Sequence, residues 1–521
     1  MARSIFETTK ATAFSSNQRF RHLAYAGLIL AAGTLAGCAV TPEAITDADR
    51  FARVESDTSM MFKDQEPVHG PIGLAEAVAR GLKYNLDKRL KEFEVVLTEK
   101  GLAHSAIGML PQLAASAGYH SRNDFRGSSS KSLITGVESL EVSTSEDKQI
   151  TTADLRVVWN VLDFGLTYLR TQQEADRVLI AKERHVKVVQ NIVQDMRDAY
   201  WRAVAAELML PRVGQLIDRI EAALRSSQAV QHSGSGEPAD ELRLQRTLLE
   251  SLKDMKEVRR NLSLAKAELA ALMNLPPGTS FRVSAPAMGS LHVPRIRAKL
   301  ADLEQASLLN RPELREEDYK KRISKTELDA AYVRLLPGIE LSTDGNFDSN
   351  SFLFKNTWST VAGAVTKNLM ELLTADRSIN FAKADVDVAD QRRMTLSMAI
   401  IAQTHISLQR YALSQEVFNM WGRLYRVDSQ LAEVAAESSS SADGSAHEAL
   451  AAQARKTVSE LQYLSAYADV QNAFGRILNS VGAHRLPDGI EGSDLKTLTG
   501  EVRSFIDDWR IPDLPVEVAK L

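Results

Sequence analysis

Cys38 is the only cysteine in 521 residues, and it closes the run Leu35-Ala36-Gly37-Cys38. A solitary thiol in an exported chain cannot form an internal disulfide, so it is either a site of covalent modification or a free structural cysteine. The residues before it speak to export. Arg19, Arg21 and His22 precede an apolar run from Leu23 to Leu35. A basic end, a short apolar core and small residues before a cleavage point read as a signal segment, too short to span a membrane as a mature helix. Little else sets up chemistry. The ten histidines are scattered, and His447-Glu448 has no second histidine four residues from the first, so no zinc pattern forms. Gly234-Ser235-Gly236 lacks the lysine and the preceding strand of a phosphate loop and reads as a turn. His405 falls on an apolar stripe and reads as a packed core histidine. The many carboxylates have helical spacing and read as a solvated face with i,i+4 partners. No catalytic residue, metal site or cofactor is expected, and the chain does not read as an enzyme.

The Leu35-Ala36-Gly37-Cys38 box resembles a bacterial lipoprotein signal, which places the lipid on the cysteine. Lipoproteins held at the inner membrane typically carry Asp after that cysteine. Here Ala39 follows, so the resemblance favours the outer membrane.

About 480 mature residues exceed one ordinary core, so several modules or one elongated body are expected. Charged residues make up 25% and aromatics only 6%, and long stretches of Ala, Leu, Glu, Arg and Gln favour helix. A net charge of −4 gives no reason to invoke nucleic acid. After residue 37 no stretch of 18 apolar residues occurs, so a membrane crossing would need a closed β-barrel.

The chain carries nearly the same pattern twice. Met109-Leu110-Pro111 is echoed by Leu335-Leu336-Pro337 at an offset of 226. Trp159-Asn160-Val161-Leu162-Asp163-Phe164-Gly165 lines up with Lys367-Asn368-Leu369-Met370-Glu371-Leu372-Leu373 at an offset of 208, which the breaks at Gly236 and Gly444 keep. The fall of 18 in offset marks a shortened loop in a tandem duplication. This divides the chain into a cleaved signal at 1–37, a tether at 38–70, repeats at 71–290 and 291–483, and a tail at 484–521.

Within the first repeat, a helix is expected from Leu74 to about Leu110, stopped by Pro111. Residues 124–150 read as an exposed loop. Leu155, Val157 and Trp159 then alternate with Asp154, Arg156 and Asn160, the mark of a strand with one apolar and one wet face. A long helix follows to about Gln231. Ile192, Met196, Ala199, Ala203, Ala206 and Leu210 form a coiled-coil seam, and Val189, Val193, Met196, Tyr200 and Ala203 form an overlapping stripe. Pro211 predicts a kink or break at Leu210. After the turn at Ser233–Pro238 a return helix runs to about Asn274. The second repeat gives a helix over Asp302–Leu336 and a strand in which Ile339, Leu341 and Thr343 alternate with Glu340, Ser342 and Asp344. A weaker strand follows at Thr357–Thr366. A long helix seamed by Met398, Ile401, His405, Leu408 and Ala412 comes next, then a turn at Ser438–Ser445 and a return helix to about Gly482. Residues 39–70 read as irregular, as does the tail apart from an amphipathic patch at Val502–Trp509.

With the alternating segment that opens after Leu110-Pro111, each copy supplies two strands and a helical hairpin: a mainly α chain with a small β part. Four strands cannot close a barrel, and an open edge is not tolerated in lipid, so several chains must pool strands. Three chains give 12, within the outer-membrane range. The chain here resembles the TolC family of outer-membrane channels, over about residues 70–483. The matching segments are Gly73-Leu74-Ala75-Glu76-Ala77-Val78, Asn310-Arg311-Pro312-Glu313-Leu314, both Leu-Pro segments, Trp159–Gly165 and Ala271-Leu272-Met273-Asn274-Leu275-Pro276. The resemblance implies a homotrimer, a 12-stranded β-barrel continued by an α-helical periplasmic tunnel. It also implies an outer-membrane location, to which the lipoprotein-like signal adds a lipid anchor at Cys38, and docking through a periplasmic adaptor (membrane fusion) protein onto an inner-membrane pump of RND or ABC type. Such a protein is the channel of an efflux pump or a type I secretion system. Two features depart from the family: Glu371-Leu372-Leu373 lacks the glycine found at Gly165, and Pro211 interrupts a helix usually continuous.

The turns containing Gly234, Gly236 and Gly444 are candidates for the adaptor-contacting tip, or plain loops. Asp218, Arg426 and Asp428 are candidates for ion pairs that close the inner end, or ordinary surface charge. Two other readings stay open: a structural lipoprotein whose coiled coil spans the periplasm without conducting, and a periplasmic adaptor. Neither needs amphipathic strands.

Overall fold

The computed structural model describes residues 42–139, 141–233, 238–286, 291–296, 298–439, 446–482 and 494–508. The chain divides into two units, Met1–Lys63 and Asp64–Leu521. In the first, α1 (Asp47–Met61) opens on a capping box between Thr46 and Asp49. A helix therefore stands where an irregular tether was expected.

The second unit follows the duplicated plan. An 11-residue helix, α2 (Leu74–Tyr84), and a 22-residue helix, α3 (Leu86–Ile107), lead into β1 (Gln112–Ser121) and β2 (Gln149–Asn160). Then come the 73-residue α4 (Val161–Ser233) and the 35-residue α5 (Pro238–Leu272). The second pass has α6 (Leu300–Asn310, 11 residues), α7 (Pro312–Val333, 22 residues), β3 (Gly338–Asp348) and β4 (Thr357–Thr366). It ends on α8 (Leu369–Ser439, 71 residues) and α9 (Ala446–Ser480, 35 residues). At 1.5 Å per residue the two long helices each run roughly 105 Å. A last helix, α10 (Leu495–Asp508), extends the expected patch at Val502 toward its N-terminal side and buries Leu495, Leu498, Val502 and Ile506.

Both entrance helices are broken where one continuous helix was expected. Asn85 leaves the helical region, and its Oδ1 accepts from the backbone N–H of Asp87 and Lys88, so it caps α3. At the equivalent point Pro312 restricts Arg311 to extended geometry and starts α7 at its first position. Pro211, by contrast, does not break α4, which runs unbroken past it. Pro211 is exposed, while Ala206, Met209, Val213 and Ile217 around it are buried in one apolar cluster. That packing outweighs the roughly 3 kcal/mol that an interior proline costs.

Both expected α4 stripes are inward. Val189, Ile192, Val193, Met196, Ala199, Tyr200 and Ala203 are buried. On α8 the buried face is Ile400, Thr404, Ser407, Tyr411 and Phe418, rotated from the expected seam. His405 is accordingly not a core histidine; it is exposed and hydrogen-bonded to Glu304. The apolar cores lie away from the sheet. One joins α4, α5 and α9, another joins α8 and α9, and a third joins α2, α10 and the middle of α4. Near the sheet the wall is held differently, by small residues (Ala330, Ala331, Ala382, Ala389) and ion pairs such as Arg184–Glu316, Lys187–Glu313 and Lys321–Asp390.

Candidate functional site

The four strands form one antiparallel sheet in the order β1-β2-β3-β4. Successive side chains alternate between faces, so the register decides what each face carries. Leu113 pairs with Val157, Ala115 with Leu155, Trp159 with Leu341, and Ile339 with Val365. These residues share one face with Tyr119, Phe347 and Val361. That face is bare: Val361 is 84% exposed, and Leu113, Leu155 and Val365 are exposed as well. The opposite face aligns Ser116 with Asp154, Arg156 with Asp344, and Asn160 with Glu340. Ser116 Oγ donates to Asp154 Oδ2 at 3.1 Å, and Arg156 Nε lies 3.2 Å from Asp344 Oδ1. Among the described residues, three strand pairings leave the outer edges of β1 and β4 without a strand partner.

The helices enter and leave this sheet on matching devices. Asn160 Oδ1 accepts from the N–H of Leu162 and Asp163 at the start of α4, and Asn368 Oδ1 accepts from the N–H of Met370 at the start of α8. The junction therefore rests on an asparagine cap repeated at an offset of 208, and the missing glycine at Leu373 does not disturb it. At the other ends of the strands the two loops are stitched together. Asn350 Oδ1 accepts from Asp147 N–H at 3.1 Å, its Nδ2 donates to Ser145 O at 2.9 Å, and Ser351 N–H and Oγ both donate to Asp147. Residues 124–139 and 141–148 are a loop, with short bridges between Ser128 and Ser143 and between Lys131 and Glu138, while 149 and 150, expected within it, belong to β2.

Electrostatics follow the packing. Near the sheet, Glu92 on α3 is held down to about 2 by His185, whose Nε2 lies 3.7 Å from its Oε1, against burial and with help from Lys88. Burial raises the Glu316 carboxyl, but Arg184 and Lys320 more than reverse it, leaving a net lowering. Burial pushes the Tyr411 hydroxyl up to about 12.

Of the residues singled out by sequence, Leu35, Ala36, Gly37, Cys38, Gly234, Gly236 and Gly444 lie outside the described residues. Asp218 and Arg426 are exposed on α4 and α8, and Arg426 Nε donates to Gly422 O at 3.3 Å. Asp428 is half-buried and lines a cleft of about 370 Å³ with Asp254, Trp421, Leu424 and Arg455. Within one chain the structure brings neither Asp218 nor Asp428 into an ion pair with Arg426 among the described residues. A feature not anticipated is the outward stripe of α8: Leu413, Val417, Met420, Leu424, Val427, Leu431 and Val434 are all exposed. Their 4-3-4-3-4-3 spacing is a coiled-coil seam left exposed among the described residues. The heptad is legible in the sequence; that it faces outward is not. Among the described residues, no helix is long and apolar enough to cross a membrane, and no group of three His, Cys, Asp or Glu could hold a metal.

No protein-family model matches the sequence, and no curated protein matches it. Solved structures do. The outer-membrane channel MtrE of Neisseria gonorrhoeae in its open state superposes with a TM-score of 0.62 at 18% identity, over 78% of this chain and 88% of that one. CusC, solved in a study of folding and transmembrane channel formation, gives 0.62 at 14% identity over 80% and 95%. The CmeC outer-membrane channel of Campylobacter jejuni gives 0.61 at 15% over 82% and 89%. Helical hairpins hung from a four-stranded antiparallel sheet, in this order and across this share of each chain, are the fold of the TolC-like outer-membrane channels.

Proposed function

We propose that this chain is the outer-membrane channel of a tripartite export system, an efflux pump or a type I secretion system. The observation that carries the reading is the sheet, with one bare apolar face, one charged face and two unpaired edges. A sheet of that kind is stable in lipid only when its edges close on other strands. Three copies joined β4 to β1 around an axis make a closed 12-stranded barrel, apolar outside and wet inside. The α8 stripe supports the same assembly, because seven exposed apolar residues in heptad order need a neighbouring helix. The helical hairpins then form a tunnel through the periplasm.

In this reading residues 1–37 are cleaved, and lipid on Cys38 anchors the tether 38–70 to the outer membrane. Residues 71–290 and 291–483 are the two repeats, and 484–521 is a periplasmic tail. The reversals at Gly234, Gly236 and Gly444 face the adaptor, which links the channel to an RND or ABC pump. Asp218, Arg426 and Asp428 form gating contacts between helices of the closed assembly. A structural lipoprotein that conducts nothing is the competing reading, and it leaves the amphipathic sheet without a use. Purified protein in planar bilayers separates them. Discrete conductance steps, raised in Arg426→Ala or Asp428→Ala, are expected. Silent bilayers from both wild type and the two variants would reject the channel. Acyl labelling tests the anchor: Cys38→Ala that still incorporates labelled palmitate would remove it.

A further inference from the structure

One row of side chains crosses all four strands on the wet face. Ser116 pairs with Asp154, Asp154 with Asn346, and Asn346 with Trp358. Side chains join the row as well as backbone. Ser116 Oγ donates to Asp154 Oδ2 at 3.1 Å. With its amide nitrogen toward β2, Asn346 donates to Asp154 Oδ1 at 3.0 Å, and its oxygen accepts from Trp358 Nε1 at 3.2 Å and from Thr360 Oγ1 at 3.3 Å. The opposite amide orientation sets donor against donor and acceptor against acceptor. Trp358 is therefore a wet-face residue, and 46% of it remains exposed. Aromatic girdles of membrane barrels face lipid. Trp358 faces the other way, so anchoring in a bilayer does not account for it.

Charge on that face is unbalanced. Asp154, Glu340, Asp344 and Asp348 share it with one guanidinium, that of Arg156. Arg156 Nε lies 3.2 Å from Asp344 Oδ1 and its Nη2 3.8 Å from Glu340 Oε1, so it is committed to those two carboxylates. Among the described residues Asp154 has hydrogen bonds but no ion pair. The face is also the hollow side of β3. Ser342 is buried and Glu340, Asp344 and Asn346 are half-buried, whereas Ile339, Leu341, Thr343 and Phe347 are exposed. Asp154 and Trp358 stand two strands apart, about 10 Å between their backbones. That gap suits a bulky cation: its charge meets the carboxylate, and its apolar substituents lie on the indole, whose face attracts positive charge. A small, strongly hydrated ion gains nothing from the indole.

We propose that Asp154 and Trp358 form a binding site for organic cations, quaternary or protonated amines with apolar substituents. Asp154 supplies the countercharge and Trp358 the aromatic wall, while Ser116 and Asn346 hold the two in place. This inference rests on the channel reading, in which the wet face lines the lumen, and adds a class of cargo that the lumen recognises.

The test is a titration of the full-length protein in lipid nanodiscs with phenyltrimethylammonium, read by saturation-transfer NMR. Block of the current in planar bilayers by the same cation is the second readout. Saturable binding is expected in the wild type, weakened about five-fold or more in Trp358→Leu and in Asp154→Asn, the loss of a cation–π contact or of its countercharge. Trp358→Tyr keeps an aromatic face and should retain most of the affinity. Benzenesulfonate, the same ring with the opposite charge, should not compete. Unchanged affinity in Trp358→Leu or in Asp154→Asn would overturn the site, as would equal binding of benzenesulfonate. A loss in Trp358→Tyr as large as that in Trp358→Leu would overturn the role of the ring. Conducting channels without saturable binding would overturn the site and leave the channel reading standing. Silent bilayers with binding intact would reject the channel and leave the cation site.

Discussion

Asp154 and Leu155 are neighbours in β2, and the account places them in opposite solvents. Leu155 is the seventh of twelve residues in its strand, near the middle of the apolar band. Its cross-strand neighbours are Ala115 and Gly345, too small to shield a charge. Leu155→Arg therefore puts a guanidinium close to the bilayer midplane, at roughly 2–4 kcal/mol per copy for a lipid-facing barrel position. That is about a 30- to 900-fold shift of the folding equilibrium. Asp154→Arg, one residue away, places the same side chain on the wet face between Ser116 and Asn346 and should cost less than about 1 kcal/mol. Reversible folding into phospholipid vesicles, followed by denaturant titration, measures both. Equal destabilisation by the two variants, or a Leu155→Arg midpoint indistinguishable from wild type, would refute the assignment of the faces.

Other outcomes follow from the helices. Asn160→Ala and Asn368→Ala should each cost about 1 kcal/mol by denaturant titration, because each removes a helix cap, and the costs should add; a null effect at Asn368 would mean that the second junction is held by something else. Pro211→Ala should stabilise the fold, by up to about 3 kcal/mol, since an unbroken helix regains a backbone hydrogen bond; an unchanged midpoint would show that α4 already relaxes around the proline. Glu92 is depressed to about 2 by His185 and Lys88, so its contribution is complete above its unfolded value of about 4.3 and is lost as pH falls through about 2. The stability gap between wild type and Glu92→Gln should close over that window, and a pH-independent gap would contradict the pairing.

Much of this fold is legible in the residues because the duplication repeats its signals. The alternation at Leu155–Trp159 and Ile339–Thr343 names the strand faces, and the Leu-Pro pairs mark where helix yields to strand. What the sequence hides is decided by competition between local and tertiary forces. Pro211 argues for a break, yet buried residues on both sides keep α4 continuous. Asn85 looks like any polar helical residue until its side chain is seen capping α3. His405 sits on a plausible stripe, but α8 has apolar residues on two faces, and periodicity cannot say which of them turns inward. The same ambiguity conceals the outward seam at Leu413–Val434. Among the described residues the proposed gate pairs are not formed within one chain, where Asp218 and Arg426 are both exposed; the proposal has them meet between helices of the assembly.

The proposed assembly closes four strands from each of three copies into one barrel above a helical tunnel. Electron cryomicroscopy of the purified protein in lipid nanodiscs tests it most directly. The expected result is a three-fold particle with 12 strands, β4 of each copy paired to β1 of the next, Leu155 and Val361 facing lipid and Arg156 facing the lumen. A particle whose sheet edges remain unpaired, or whose Leu155 face turns to the lumen, would contradict it.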